Sequence, residues 1–152
     1  MFNYIYRLFF PYTYYDKLNE YPKRFYYLSL IKEQNNTFSI HGLWPQYTKT
    51  SYPTNCTDVT FDINKIETLL PDLNKNWYSN SNNEIKNEDF WKHEYEKHGS
   101  CVFTPMTEKE YFEKTLDLYN VALNENLPIY FYDKETKKCL IPVSTHFNFI
   151  VN

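Results

Sequence analysis

The sequence predicts an α+β domain in which an antiparallel β-sheet packs against several α-helices. Residues 24–31 and 37–40 form short runs of aromatic and aliphatic side chains, which is typical of strands. Residues 107–123 begin with a capping-box pattern and continue with the spacing of an amphipathic helix. Short apolar runs return after residue 127, so strands are predicted on both sides of the helical part of the chain.

Two strands are predicted around the first histidine of the sequence. Residues 24–31 are apolar enough for a buried strand. Residues 37–40 form the second strand, which places His41 at its end. Pro45 is expected to stop this strand, because proline cannot donate a hydrogen bond to a neighbouring strand.

The middle of the chain is predicted to be helical. Residues 62–70 place four aliphatic side chains on one face, and Pro71 is expected to end that helix. Residues 79–87 are rich in serine and asparagine, which is typical of an exposed loop. A helix over residues 87–98 follows, with an asparagine as its N-cap, acidic residues in its first turn and a glycine just after its end.

The last third of the chain is predicted to contain one helix and three strands. The helix over residues 107–123 directs its rings and leucines toward the core. The strands, joined in part by a polar turn, are residues 129–132, 140–143 and 147–151. Because no repeat or linker interrupts the sequence, we expect a single domain over residues 1–152, in which residues 1–23 are assigned to no element.

The charge of the chain limits how it can bind a polyanion. The formal net charge is -3, which argues against a protein held on nucleic acid by bulk electrostatics. Protonation of the four histidines would change this charge to about +1, so mild acid favours contact with a polyanion. The net charge is therefore compatible with RNA as a substrate that is bound only transiently.

The cysteines and the amino-terminal residues give little indication of the compartment. The three cysteines, Cys56, Cys101 and Cys139, allow one disulfide and leave one thiol over, and no CxxC pair indicates a zinc site. Residues 1–15 lack the basic start and the small-residue cleavage site of a typical export signal. No window of about 18 apolar residues predicts a transmembrane helix.

Two short segments contain three of the four histidines and both glycines: FSIHGLWP at residues 38–45 and FWKHEYEKHGSC at residues 90–101. Because glycine is so rare here, we expect each one to be required by a positive φ or by the close approach of another group. Residues four apart share a helix face, which pairs His93 with Lys97 and Glu94 with His98. One surface can therefore present two cations, a carboxylate and an imidazole.

These side chains fit the cleavage of RNA, whose 2′-hydroxyl lies beside the phosphate and needs a base, an acid and stabilisation of charge. His98, oriented by Glu94, would accept the 2′-hydroxyl proton while His41 protonates the departing 5′-oxygen. Lys97 and His93 would stabilise negative charge on the phosphate. Three residues separate Glu94 from His98, unlike in the HExxH motif of zinc proteases, so we expect no metal or other cofactor.

The two segments resemble the two active-site signatures of the ribonuclease T2 family, which are a strand ending in IHGLWP and, some fifty residues later, WxHExxKHG(T/S)C. The resemblance implies that His41, Glu94 and His98 are catalytic. It implies that His93 and Lys97 contact phosphate. It also implies that single-stranded RNA is cleaved through a 2′,3′-cyclic phosphate, with an acidic pH optimum.

The same resemblance implies further structural properties. These are a central antiparallel sheet, a disulfide between Cys56 and Cys101, and a base pocket at Trp44, Gln46 and Tyr52, where rings would stack on unpaired bases. Most proteins of this family are secreted, lysosomal or vacuolar, and we expect the same of this one. We also expect a monomer.

The sequence departs from the family pattern at several points. Gln46 replaces a frequent aspartate, so the resemblance does not define the base preference. The family's cysteine-containing loop before the first signature is replaced by a short link, and tens of residues are missing between the helix over residues 107–123 and Cys139. Cys139 lacks its usual partner, because Tyr132 stands where that cysteine would be. The resemblance extends over residues 24–143.

Other functions remain open on the sequence alone. A truncated family member that only binds RNA or a protein partner would contain the same two signatures. A metal-dependent hydrolase that uses His93 and His98 is a weaker alternative. We expect His146 to be a structural or surface group and Trp91 to be a core ring, whereas Trp44 suits the core and a base contact equally well.

Overall fold

The structure is a computed structural model that describes residues 23–80 and 84–151. A four-stranded antiparallel sheet lies at its centre, formed by β1 (Phe25–Lys32), β2 (Phe38–Gln46), β3 (Tyr132–Asp133) and β4 (Lys138–Ser144). The strands lie in the order β2-β1-β4-β3, and helices pack against the sheet. The predicted α+β class is confirmed. The expectations for residues 1–15, and for the tip of the predicted loop at residues 81–83, lie outside the described residues.

Strand β2 contains a β-bulge at His41. The residue pairs on either side of the bulge are Ser29 with Gly42 and Leu30 with Ile40, so His41 has no partner on β1. In a regular strand His41 would share the face of Leu43, which is fully buried in the core. The extra residue turns His41 away from that face, and 39% of its side chain is exposed.

The expectation that Pro45 stops β2 is wrong, because the strand continues through Pro45 to Gln46. β2 is an edge strand, paired with β1 alone among the described strands. An edge strand tolerates proline, since one side of its backbone needs no hydrogen bond to a neighbour. His41 therefore lies within a strand instead of at the end of one.

Four α-helices lie in the described residues: α1 (Leu70–Asn76), α2 (Asn87–Lys97), α3 (Glu108–Asn124) and α4 (Leu127–Phe131). The helix predicted over residues 62–70 is instead a 3-10 helix, Ile63–Leu69, which leads into α1. Pro71 lies in the first turn of α1, where the helix has no acceptor for the missing N–H in any case. Among residues 23–80 and 84–151, no helix is both long and apolar enough to cross a membrane.

The helix starts agree only in part with the sequence. The capping box of α3 is confirmed, because the Thr107 hydroxyl accepts from the Glu110 N–H at 3.2 Å and the Glu110 carboxylate accepts from the Thr107 N–H at 2.6 Å. Helix α2 has Lys86 as its N-cap, not Asn87. The Asn87 side chain instead accepts a hydrogen bond from the Ser79 N–H at 2.8 Å, which joins the start of α2 to Ser79.

Two of the three strands predicted after residue 127 are wrong. Residues 129–131 belong to α4, whose first turn contains Pro128, and only Tyr132 and the residue after it form a strand. A positive φ of 61° at Phe147 interrupts the extended backbone, so residues 147–151 contribute one isolated bridge to β4. The strand predicted over residues 140–143 is confirmed within β4.

An aromatic core joins the sheet to α3. Tyr111 and Phe112 of α3 are fully buried and pack against the ring of Trp77. The Tyr111 hydroxyl donates to the Leu43 carbonyl at 3.1 Å, and the Tyr119 hydroxyl donates to the Phe38 carbonyl at 2.7 Å. Side chains of helix α3 therefore form hydrogen bonds to β2 on both sides of the bulge.

The predicted disulfide between Cys56 and Cys101 is confirmed. It fastens the loop after β2 to the short 3-10 helix, Gly99–Cys101, that follows α2. The Asn55 N–H donates to the Lys97 carbonyl at 2.9 Å beside this crosslink. Cys139 is a buried free thiol, and burial raises its pKa to about 12.

Candidate active site

Strand β2 and helix α2 bring His41, Glu94 and His98 together. Glu94 and His98 lie one turn apart on α2, so they share a helix face. His41 Nε2 lies 3.5 Å from Glu94 Oε1, and His98 Nε2 lies 3.9 Å from Glu94 Oε2. The carboxylate therefore lies between the two imidazole rings.

The Glu94 carboxylate is held in a tight, buried position. Only 2% of the residue is exposed, and Trp44 Nε1 donates to Glu94 Oε2 at 2.8 Å. A Cβ atom at Gly42 would overlap with both of these atoms. The close approach expected at this glycine is observed, and neither glycine of the chain has a positive φ.

His98 is buried beside an aromatic ring. The Trp44 ring stacks on it, with the ring centroids 5.2 Å apart and the planes 27° from parallel. Burial lowers the pKa of His98 to about 4, although the Glu94 carboxylate opposes that shift. The ring is therefore neutral in all but strongly acidic solution. Its buried Nδ1 has no hydrogen-bond partner among the described residues.

Two buried tryptophans hold the backbone at His41. Trp77 Nε1 donates to the His41 carbonyl at 2.9 Å, and Trp91 Nε1 donates to the Trp77 carbonyl at 2.6 Å. Trp91 is thus a core ring, as expected. The His41 ring itself contacts the rings of Trp44 and Phe90, at centroid distances of 4.9 Å and 5.7 Å.

One cleft of about 320 Å³ contains every residue that the sequence indicated for catalysis or base binding, namely His41, Trp44, Gln46, Tyr52, His93, Glu94, Lys97 and His98. It also contains residues that the sequence analysis missed, which are Tyr27, Lys49, Lys138 and Leu140. Tyr27 lies opposite Trp44 in the sheet, so the register between β1 and β2 brings it to the cleft. That register cannot be read from one strand alone.

In the described ranges, 23–80 and 84–151, no three His, Cys, Asp or Glu side chains form a group that could hold a metal ion. His146 is exposed and does not line the cleft, so it is a surface group, which is one of the two positions expected for it.

On the role that the sequence predicts for Glu94, substitution of Gly42 by alanine is expected to lower kcat by about a hundredfold, because a displacement of about 1 Å near the reacting atoms can have that effect. The new methyl group must push aside either the Glu94 carboxylate or the Trp44 indole. Steady-state kinetics of Gly42→Ala, alone and in a Glu94→Ala background, would test this. If Gly42→Ala acts through Glu94, it should have little further effect in that background. Independent, additive losses would contradict this explanation.

Comparisons with known proteins identify the family. The model of the ribonuclease T2 family matches residues 2–128, so the match begins before residue 24 and ends before residue 143, the two bounds expected from the sequence. Ribonuclease DdI of Dictyostelium discoideum is 37% identical over 124 residues, which cover 76% of this chain and 54% of that protein. The chain therefore spans about half the length of this curated relative.

Solved structures have the same fold. The RNase-related protein from Calystegia sepium aligns with a TM-score of 0.65 at 20% identity, over 86% of this chain and 90% of that one. RNase NT in complex with 5′-AMP aligns with a TM-score of 0.62 at 22% identity, over the same shares of the two chains. Because the family model covers most of the sequence and both signatures meet in one cleft, this chain belongs to the ribonuclease T2 family.

Proposed function

We propose that the protein is an endoribonuclease that cleaves single-stranded RNA by metal-independent transesterification through a 2′,3′-cyclic phosphate. The observation that carries this proposal is the arrangement of His41 and His98 on either side of the Glu94 carboxylate. Family membership supports the general activity. The environment of each side chain supports the division of roles between them.

His98 is suited to be the general base. Its ring is neutral because burial lowers its pKa to about 4, so it can accept the proton of the 2′-hydroxyl while that oxygen attacks phosphorus. His41 is suited to be the general acid, since it lies beside the Glu94 carboxylate and reaches solvent. It gives its proton to the 5′-oxygen as the bond between phosphorus and that oxygen breaks.

The charged residues of α2 complete the proposed mechanism. Lys97 and His93 line the cleft beside the two imidazoles, where positive charge would stabilise the additional negative charge of the pentavalent phosphorus. Glu94 contacts both rings at 3.5 Å and 3.9 Å, so it can orient them.

We propose that Trp44, Gln46 and Tyr52 bind the base of the reacting nucleotide. Tyr52 is 55% exposed at the cleft and offers a ring on which a base can stack. Gln46 is 4% exposed and has an amide that can both donate and accept hydrogen bonds. Trp44 already donates to Glu94, so it links base binding to the position of the carboxylate.

Mass analysis of RNA fragments would test the proposed function. Single-stranded RNA incubated with the protein and EDTA, between about pH 4 and pH 7, should yield fragments that end in a 2′,3′-cyclic phosphate. Intact RNA, or fragments without the cyclic phosphate, would disprove the proposal. Tight binding of RNA without cleavage would favour a binding module instead, and activity lost in EDTA would favour a metal-dependent hydrolase.

The dependence of rate on pH should follow the ionisation of His98. Protonated His98 cannot accept a proton, so kcat/KM should rise as the pH increases through about 4, the pKa of this group. The rate should fall again at higher pH, when the general acid loses its proton. A pH series of initial rates measures both limbs. An acid limb centred near pH 6.5, the usual value for histidine, would show that the base is not the buried ring.

We further propose a single domain over residues 1–152 that acts as a monomer outside the cytosol, either secreted or in lysosomes or vacuoles. The disulfide between Cys56 and Cys101 supports an oxidising compartment. Gel filtration of the full chain and localisation of a tagged protein would test these points.

A further inference from the structure

A second groove continues from the catalytic cleft across the sheet. It has a volume of about 700 Å³ and reaches the turn that joins β3 to β4. Four residues line both the cleft and the groove, namely Tyr27, Lys49, Lys138 and Leu140. His41, Glu94 and His98 do not line the groove. It is therefore an extension of the site and not part of the catalytic centre.

The strand register explains why the two spaces are continuous. Tyr27 of β1 lies opposite Trp44 of β2 and, on its other side, opposite a residue of β4. Side chains two residues apart in a strand point to the same face, so Leu140 and Lys138 of β4 lie on one face. Both line the catalytic cleft together with Trp44. One face of the sheet therefore extends from Trp44 to the hairpin that joins β3 to β4.

The groove combines cations with aromatic rings. Three lysines line it, namely Lys49, Lys134 and Lys138. Its aromatic side chains are Tyr27, Phe131 and Tyr132, and its acidic ones are Asp133 and Glu135. The Asp133 carboxylate accepts two backbone N–H groups of its own turn, at 2.8 Å and 3.2 Å, which offset its charge. Lysines beside rings are the usual components of a site for a single nucleic-acid strand, where cations contact phosphate and rings stack on bases.

Lys138 is well placed to contact a phosphate group. It is exposed, it lines both spaces, and it makes no ion pair within 4.0 Å in the described part of the chain. The chain as a whole has a formal net charge of -3, so this excess of lysine over acidic residues in the groove is local.

We propose that this groove binds the nucleotide on the 5′ side of the reacting nucleotide, with Lys138 contacting the phosphate between the two. The proposal rests on the proposed ribonuclease function. Two observations support this direction. Lys49, which lines both the cleft and the groove, lies in the sequence between Gln46 and Tyr52, the residues proposed to bind the base. His41, which protonates the oxygen of the nucleotide on the 3′ side, is absent from its lining.

Paired substrates of different length would test this subsite. The first is the dinucleoside monophosphate that the native protein cleaves fastest. The second adds one 2′-deoxynucleotide at its 5′ end, so that only the same bond can be cleaved. The added phosphate and base should raise kcat/KM about fivefold, as expected for one exposed charge pair. Fully 2′-deoxy versions, which cannot be cleaved, should show the same gain in affinity by fluorescence anisotropy.

Two lysine variants distinguish an effect of the groove from an effect of the surface around it. In Lys138→Gln the ratio of the two kcat/KM values should fall toward one, and the slope of log Kd against log salt for the longer ligand should decrease by about 0.7. Lys137→Asn removes the same charge from the neighbouring residue, which does not line the groove, and asparagine suits its φ of 57°. This control should keep the native ratio.

The outcomes distinguish the groove from the proposed function. Equal rates and affinities for short and long substrates would overturn the subsite, as would a gain that survives Lys138→Gln. If neither RNA is cleaved but the deoxy ligands still show a gain that depends on Lys138, the ribonuclease function is wrong and the groove is a nucleic-acid site in its own right.

Discussion

Replacement of His98 by alanine should lower kcat for cleavage of single-stranded RNA by about a thousandfold or more, because general acid-base catalysis by one group contributes up to about 10,000-fold. His98 is 5% exposed and lies between Glu94 and Trp44, so no solvent molecule can easily take over its role. Single-turnover cleavage of a labelled RNA measures the chemical step directly. The residual cleavage should lose the acid limb near pH 4.

His146→Ala is the matched control for this variant, because it removes the same ring from an exposed position outside the cleft. It should keep the native kcat. His98→Ala opens a buried cavity, so thermal unfolding of both variants must show that they are folded at the assay temperature. A folded His98→Ala protein with more than about a tenth of the native kcat would rule out His98 as the general base.

Loss of the Cys56–Cys101 disulfide should lower the free energy of unfolding by about 4 kcal/mol, the loop-closure value for its separation of 45 residues. The crosslink joins the loop after β2 to the residues just beyond His98, so the cleft should also become less well ordered. Urea unfolding of a Cys56→Ala/Cys101→Ala variant measures the first effect. The KM of that variant measures the second.

Cys139→Ala is the control for the disulfide variant, since it removes a buried sulfur without breaking a crosslink. It should lower the free energy of unfolding by about 1 kcal/mol, in line with the removal of a small buried group. An equal loss in the two proteins would mean that the crosslink contributes no more than ordinary packing. Reduction of the native protein with dithiothreitol should reproduce the disulfide variant.

Short-range sequence patterns predicted the parts of the fold that depend on short-range interactions. The capping box at Thr107 and the apolar run within β4 both appear as expected. The prolines were misinterpreted, because proline both begins helices and lies in edge strands. Whether Pro71 starts or stops a helix, and whether Pro45 has a neighbour on its N–H side, depends on the surrounding fold and not on nearby residues.

The candidate catalytic residues were predictable because they occupy two continuous segments of sequence. Tyr27 and Lys138 were missed, since they reach the cleft through strand pairing across three strands. The bulge at His41 did leave a signal in the sequence. The core residues Ile40 and Leu43 are separated by three positions, whereas a regular strand places residues of one face two or four positions apart.

The scarcity of glycine also has a consequence for the unfolded chain. A protein of this length usually contains about ten glycines, and this one contains two. Each glycine replaced by another residue restricts the denatured ensemble and favours folding by about 0.4–1 kcal/mol. In the described loops, residues other than glycine therefore occupy the left-handed backbone positions. These residues are Asn36, Asn55, Asn126, Lys137 and Phe147. Such residues cost about 1 kcal/mol there, so strain in the folded loops offsets part of the stability that is gained from restricting the denatured state.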